Sequence, residues 1–96
     1  MNNKYELTEE CITLGSVTLY RIRALRDFGD VEAGELGGYV ESTRNLSAYG
    51  NTWVYDNAKV YGDARVYDNA KVWGDAKVYG DARVYDNAKV WGDAKV

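Results

Sequence analysis

VYGDARVYDNAKVWGDAK spans residues 60–77, and the same eighteen letters follow unchanged over 78–95. Within them runs a shorter beat of six residues: Val, aromatic, Gly or Asp, Asp or Asn, Ala, Lys or Arg. Read backwards from Val66, the beat sets one frame from residue 48 onward, with hexads beginning at Ala48, Val54, Val60, Val66, Val72, Val78, Val84 and Val90. A small residue, Thr52 or an alanine, holds the fifth place of each hexad. A helix needs apolar positions near 3.6 residues apart, which a step of six does not supply. The V-Y and V-W pairs favour strand, whereas G-D and D-N are turn dipeptides. Each hexad therefore predicts a very short strand followed by a corner.

Strands this short are not stable alone and must pair with copies of themselves in neighbouring coils. Three strands and three corners make a triangular coil of eighteen residues, which is the length at which the sequence repeats. Alternation along each strand points Val into the bore and its aromatic and basic neighbours outward. Ala suits a crowded corner, and Gly beside Asp tolerates a tight backbone there. Adding eighteen predicts aromatic columns of Tyr49, Tyr67 and Tyr85, of Tyr55, Trp73 and Trp91, and of Tyr61 and Tyr79. Arg65 with Arg83, Lys71 with Lys89 and Lys77 with Lys95 form basic columns beside them. Because columns occur on all three faces, they read as a construction rule rather than as a binding surface.

An aliphatic residue followed four places later by a small one, recurring every six, resembles the hexapeptide repeat of left-handed parallel β-helices. The resemblance covers residues 48–96 and implies an all-β fold, with the left hand supplied by that family.

Residues 1–47 do not follow the repeat and read as a separate N-terminal unit that enters the β-helix of 48–96. CITLGSVTLYRIRALRDF predicts a hairpin about Gly15-Ser16, with Thr18, Tyr20 and Ile22 on one side of its second strand and Leu19, Arg21 and Arg23 on the other. An exposed solenoid end invites edge pairing, so this small β-hairpin unit is expected to cap the first coil. RDFGDVEAGELGGYVESTRNLSAYGNTWVYDNA resembles the N-terminal region of YdcK-like bacterial and prophage hexapeptide-repeat proteins. The likeness spans about residues 17–58 and implies a fold and a bacterial or phage origin. Those proteins are mostly labelled acyltransferases because of their fold. This chain departs from them by its brevity and its nearly invariant repeats.

The remaining composition mostly excludes. The net charge is −3, with five basic and eight acidic residues in 1–53 and three of each in every eighteen-residue copy. That balance offers nothing to nucleic acid or an anionic membrane. No apolar run approaches a membrane span and MNNKYELTEE lacks a signal-peptide core, so the expected compartment is the cytoplasm. Cys11, the single cysteine, reads as a small, partly buried side chain. The chain has no histidine, which removes His-based acid–base catalysis, His metal sites and Ser/Cys–His dyads together. GGYVES and the Gly-Asp corners are not phosphate loops, because no Lys-Ser/Thr follows them. Asp63, Asp75 and Asp81 suggest solvated corners before they suggest a cation site. No cofactor and no metal are expected.

By resemblance, two enzyme classes use left-handed β-helices. Hexapeptide acyltransferases usually depend on a catalytic His, and γ-class carbonic anhydrases bind metal through three; neither has a candidate here. The leading expectation is a non-enzymatic, self-associating scaffold, a homodimer formed end to end through an uncapped last coil. Val84, Val90, Trp91 and Val96 would form that contact. The alternative is a module that sequesters a small ligand at a subunit interface, with Arg21, Arg23, Arg26 and Arg44 as candidates for an anion. An acyltransferase-like enzyme without the usual His ranks third. The chain also reads as a possible shortened form of a longer array.

Overall fold

The structure, a computed structural model, describes residues 3–96. It is nearly all β, with one 3-10 turn at Thr43–Asn45 and no closed barrel. Strands β1 (Tyr5–Leu14) and β2 (Val17–Ala24) form the expected antiparallel hairpin, with Leu14 opposite Val17 across Gly15-Ser16. Gly15 has φ +62°, the left-handed geometry that a two-residue hairpin turn requires.

β3 (Leu36–Val40) adds antiparallel to β2 and then pairs parallel with β5 (Lys59–Val60), which pairs with β8 (Lys77–Val78). The result is one mixed five-stranded sheet, in which the hairpin unit is hydrogen-bonded through β3 to the repeats. The other two sheets are wholly parallel. One orders β4 (Trp53–Val54), β7 (Lys71–Val72) and β10 (Lys89–Val90), and the other pairs β6 (Arg65–Val66) with β9 (Arg83–Val84).

Register ties the pairs to the eighteen-residue repeat. Val54 lies beside Val72, Val60 beside Val78, Val66 beside Val84 and Val72 beside Val90. Strand N–H groups donate to the following copy, as Tyr61 does to Val78 O (3.0 Å), Tyr67 to Val84 O (3.0 Å) and Trp73 to Val90 O (2.9 Å). The rings stack: Tyr61 on Tyr79 at 5.4 Å, Tyr67 on Tyr85 at 5.3 Å and Trp73 on Trp91 at 5.5 Å. These separations exceed the ~4.8 Å between strands because stacked rings slide to an offset.

The third place of the hexad is left-handed whether or not it is glycine: Gly62 and Gly74 have φ +68° and +73°, Asp56 and Asp68 +57° and +60°. Aspartate tolerates this geometry better than most residues. Here it also gains a bond between copies, since Asp68 Oδ2 accepts the Asp86 N–H at 3.1 Å and Asp56 Oδ2 the Gly74 N–H at 3.2 Å.

One hydrophobic core runs through both parts of the chain. Tyr5, Ile22, Phe28 and Val31 from the head join Val40, Leu46, Trp53 and the valines up to Val84. Regular stacking begins earlier than residue 48: Val40 pairs with Val60 and Leu46 with Val66. Both partners lie twenty residues apart, whereas Val54 and Val72 lie eighteen apart. Two additional residues are therefore inserted between Leu46 and Val54, and the place assigned to Ala48 belongs to Leu46. The reason is volume, because alanine would leave a void against Val66 that leucine fills. Tyr49 consequently leaves the expected column with Tyr67 and is 83% exposed.

Candidate functional site: the junction between head and coils

The insertion is held from beneath by the head. The buried Lys4 extends its Nζ to Ser47 O at 3.1 Å and Tyr49 O at 3.5 Å, and the Tyr5 hydroxyl lies 2.5 Å from Leu46 O. The Lys4 ammonium also sits over the Phe28 ring, 4.8 Å from its centroid. Burial, with a smaller contribution from Arg26, lowers the Lys4 pKa to about 8. Burial drives the Tyr5 phenol well above its ordinary value, so it stays protonated and can donate.

Asn45 completes the latch. Ser42 and Asn45 form a capping box around the 3-10 turn. The Asn45 Oδ1 accepts the N–H groups of Glu41 (3.0 Å) and Ser42 (2.9 Å). Its Nδ2 donates to Gly62 O (3.2 Å) and Ala64 O (2.9 Å), which carries the head onto the next copy.

Where Ser47–Tyr49 bulges outward, a groove of about 430 Å³ opens beside it. The buried Leu46 and Val66 line it together with Tyr49, Tyr67, Arg44, Arg65 and Arg83. Three guanidinium groups and no carboxylate line this groove, in a chain of net charge −3. A second groove of about 340 Å³ mixes the charges of Asp30, Asp56, Lys71 and Lys89 against Tyr55 and Trp73. There the Tyr55 hydroxyl donates to Asp30 at 2.7 Å. That bond lowers the Asp30 pKa, while burial and then the same bond raise that of Tyr55.

The four arginines named as anion candidates do not converge. Arg21 reaches Glu10 (2.8 Å), Gly37 O (2.7 Å) and the Tyr39 hydroxyl (2.6 Å), with its guanidinium over the Tyr39 ring. These contacts brace the sheet. Arg23 pairs with Glu6, and Arg26 lies over Phe28 at 5.6 Å. Only Arg44 enters the groove, held by Gly62 O at 3.0 Å with Glu41 and Asp63 at 3.6 and 3.8 Å. Arg65 and Arg83, expected as one of the basic columns, also line the groove. The clue to their setting was the broken frame above them.

The residues named for self-association lie together at the far edge. Val84 is buried and Val90 half-buried, whereas Trp91 and Val96 are 58% and 44% exposed. Ala88 is exposed where its counterpart Ala70 is fully covered. Cys11 differs from expectation: it stands exposed on β1, where the register of the hairpin has just shifted and Glu9 and Glu10 are exposed beside it. Among the described residues, no His/Cys/Asp/Glu cluster could hold a metal ion, and no helix is long and apolar enough to cross a membrane.

No known family profile matches the chain. It is 39% identical over 61 residues to an uncharacterized acetyltransferase, YdcK, of Escherichia coli strain K12, an alignment covering 55% of this chain and 19% of that protein. The chain thus spans about a fifth of its relative's length, and the two are distantly related.

Proposed function

We propose that the chain is a non-enzymatic structural module. In this reading residues 48–96, with Val40 and Leu46 ahead of them, wind as a left-handed parallel β-helix of hexapeptide repeats. The hairpin unit caps one end, and the edge bearing Val84, Val90, Trp91 and Val96 pairs with a second copy. The observation that carries the proposal is the contrast between successive copies of the repeat. Ala70 and Val78 are fully covered by the following copy, while Ala88, Trp91 and Val96 present the same chemistry to solvent. An open parallel edge with apolar side chains beside it favours pairing with a like edge. A twofold end-to-end dimer closes that surface, whereas head-to-tail stacking would meet the capped end.

A bacterial or phage origin and a cytoplasmic location accompany this reading, supported by the Escherichia coli relative and the lone cysteine. Acyl transfer, which the relative's name suggests, is less favoured for this chain because it offers no histidine as a base. Sedimentation velocity of residues 1–96 tests the proposal. A dimer is expected at micromolar concentration, together with a monomer of unchanged circular dichroism for Val90→Asp. A wild-type monomer at tens of micromolar would overturn it.

A further inference from the structure

We propose that the groove beside the Ser47–Tyr49 bulge binds a phosphate monoester carried on a flat ring. The inference rests on the bulge and the Arg65–Arg83 column and does not depend on self-pairing, although Arg83 precedes Val84 of that edge on β9. Its first support is charge. Arg65 and Arg83 face one another in register on adjacent parallel strands, roughly 4.8 Å apart. Among the described residues, neither has a carboxylate within ion-pair distance. Two like charges on adjacent strands repel, an anion between them relieves that repulsion, and the planar forks of guanidinium groups suit the oxygens of a phosphate.

The second support is the break in the stacking rule. Tyr67 stacks on Tyr85 through one face, at 5.3 Å with 10° between the ring planes. Its other face would have been covered by Tyr49 had the frame continued, but Tyr49 is 83% exposed. A ligand ring can occupy that place in the geometry Tyr85 already adopts on the other side. The third support is construction: Lys4, Tyr5 and Asn45 hold the bulge open through bonds to Ser47, Leu46 and the next copy. Arg44, anchored by Gly62 O and paired with Glu41 and Asp63, is fixed beside the groove with its charge partly offset.

Phenyl phosphate is the probe, followed by ¹H–¹⁵N NMR of residues 1–96 in low salt. Shifts are expected at Ser47–Tyr49, Arg65, Tyr67 and Arg83, with inorganic phosphate binding more weakly and phenol not at all. The double variant Arg65→Gln/Arg83→Gln should lose about tenfold or more in affinity, since charged hydrogen bonds are removed at an exposed site. Tyr67→Leu should bind phenyl phosphate no better than inorganic phosphate. Lys71→Gln/Lys89→Gln, on another face, should bind as the parent does and shows that the effect is local. Absence of shifts at millimolar phenyl phosphate would overturn the proposal. So would equal losses for the arginine and lysine pairs, which would mark adventitious, delocalised binding.

Discussion

Gly38 is a point where the head approaches the coils closely, and its replacement by alanine tests that junction. A Cβ there would stand 2.5 Å from Ala58 O and 2.6 Å from Val54 Cγ1. Neither neighbour can withdraw: one is backbone immediately before the paired strand β5, and the other is a fully buried valine. Relief requires β3 and β5 to separate. Overpacking alone costs about 1–3 kcal/mol. Separation also stretches the bonds from Tyr39 N–H to Ala58 O (2.9 Å) and from Glu41 N–H to Val60 O (3.2 Å). At about 1 kcal/mol each, these bring the expected loss for Gly38→Ala to about 3–5 kcal/mol. Gly80→Ala is the comparison. Its φ is +64°, yet an added Cβ meets nothing within 4 Å, so only the left-handed conformation is penalised, by about 1–2 kcal/mol. Equilibrium urea unfolding followed by circular dichroism measures both. Equal losses for the two variants would refute the reasoning, because they would mean that β3 does not approach the coil as closely as described.

Asn45→Ala should lose about 2–4 kcal/mol in the same assay, because the N–H groups of Glu41 and Ser42 and the carbonyl of Ala64 lose a buried partner. Asn45→Asp should rescue little at neutral pH, since it turns an acceptor toward Gly62 O and Ala64 O, where the amide now donates. Alkaline pH should act in two opposed steps. Lys4 has a folded pKa of about 8, lowered from 10.5, so between those values the unfolded chain holds more protons and stability rises with pH. Tyr5 and Tyr55 have raised pKa values, so their stabilising contribution is intact below pH 10 and declines above it as the unfolded phenols ionise. Thermal melts should therefore climb from pH 8 toward 10 and fall beyond it. Lys4→Met should abolish the climb and keep the fall, and a parent Tm that declines steadily from pH 8 would contradict the burial of Lys4.

The repeat was legible because its physics is local and periodic. Val at each first place, Ala at each fifth and aromatics between them predict parallel pairing at eighteen residues, and Val60 beside Val78 follows directly. The hairpin about Gly15-Ser16 was legible from turn chemistry alone. What stayed hidden was the junction, where the frame slips by two. Extending the period backwards selected Ala48 because letters, rather than volumes, were matched. Val40 and Leu46 are themselves six residues apart, both large and aliphatic, and that pair was the available signal. A bore position demands bulk, so an alanine at the head of a hexad was the mark of a wrong register. A frame that begins at Ala48 also sets Tyr49 on Tyr67, over the space that the chain leaves open. Lys4 and Tyr5 reach Ser47 and Leu46 across more than forty residues of sequence and Asn45 reaches Ala64 across nineteen, and no periodicity reports such contacts. The three arginines of the groove were all visible, but two were read as part of a column and one as part of an unrelated cluster. An irregularity in an otherwise invariant repeat departs from the construction rule, and here it is also where a groove of about 430 Å³ gathers positive charge without acid partners in its lining.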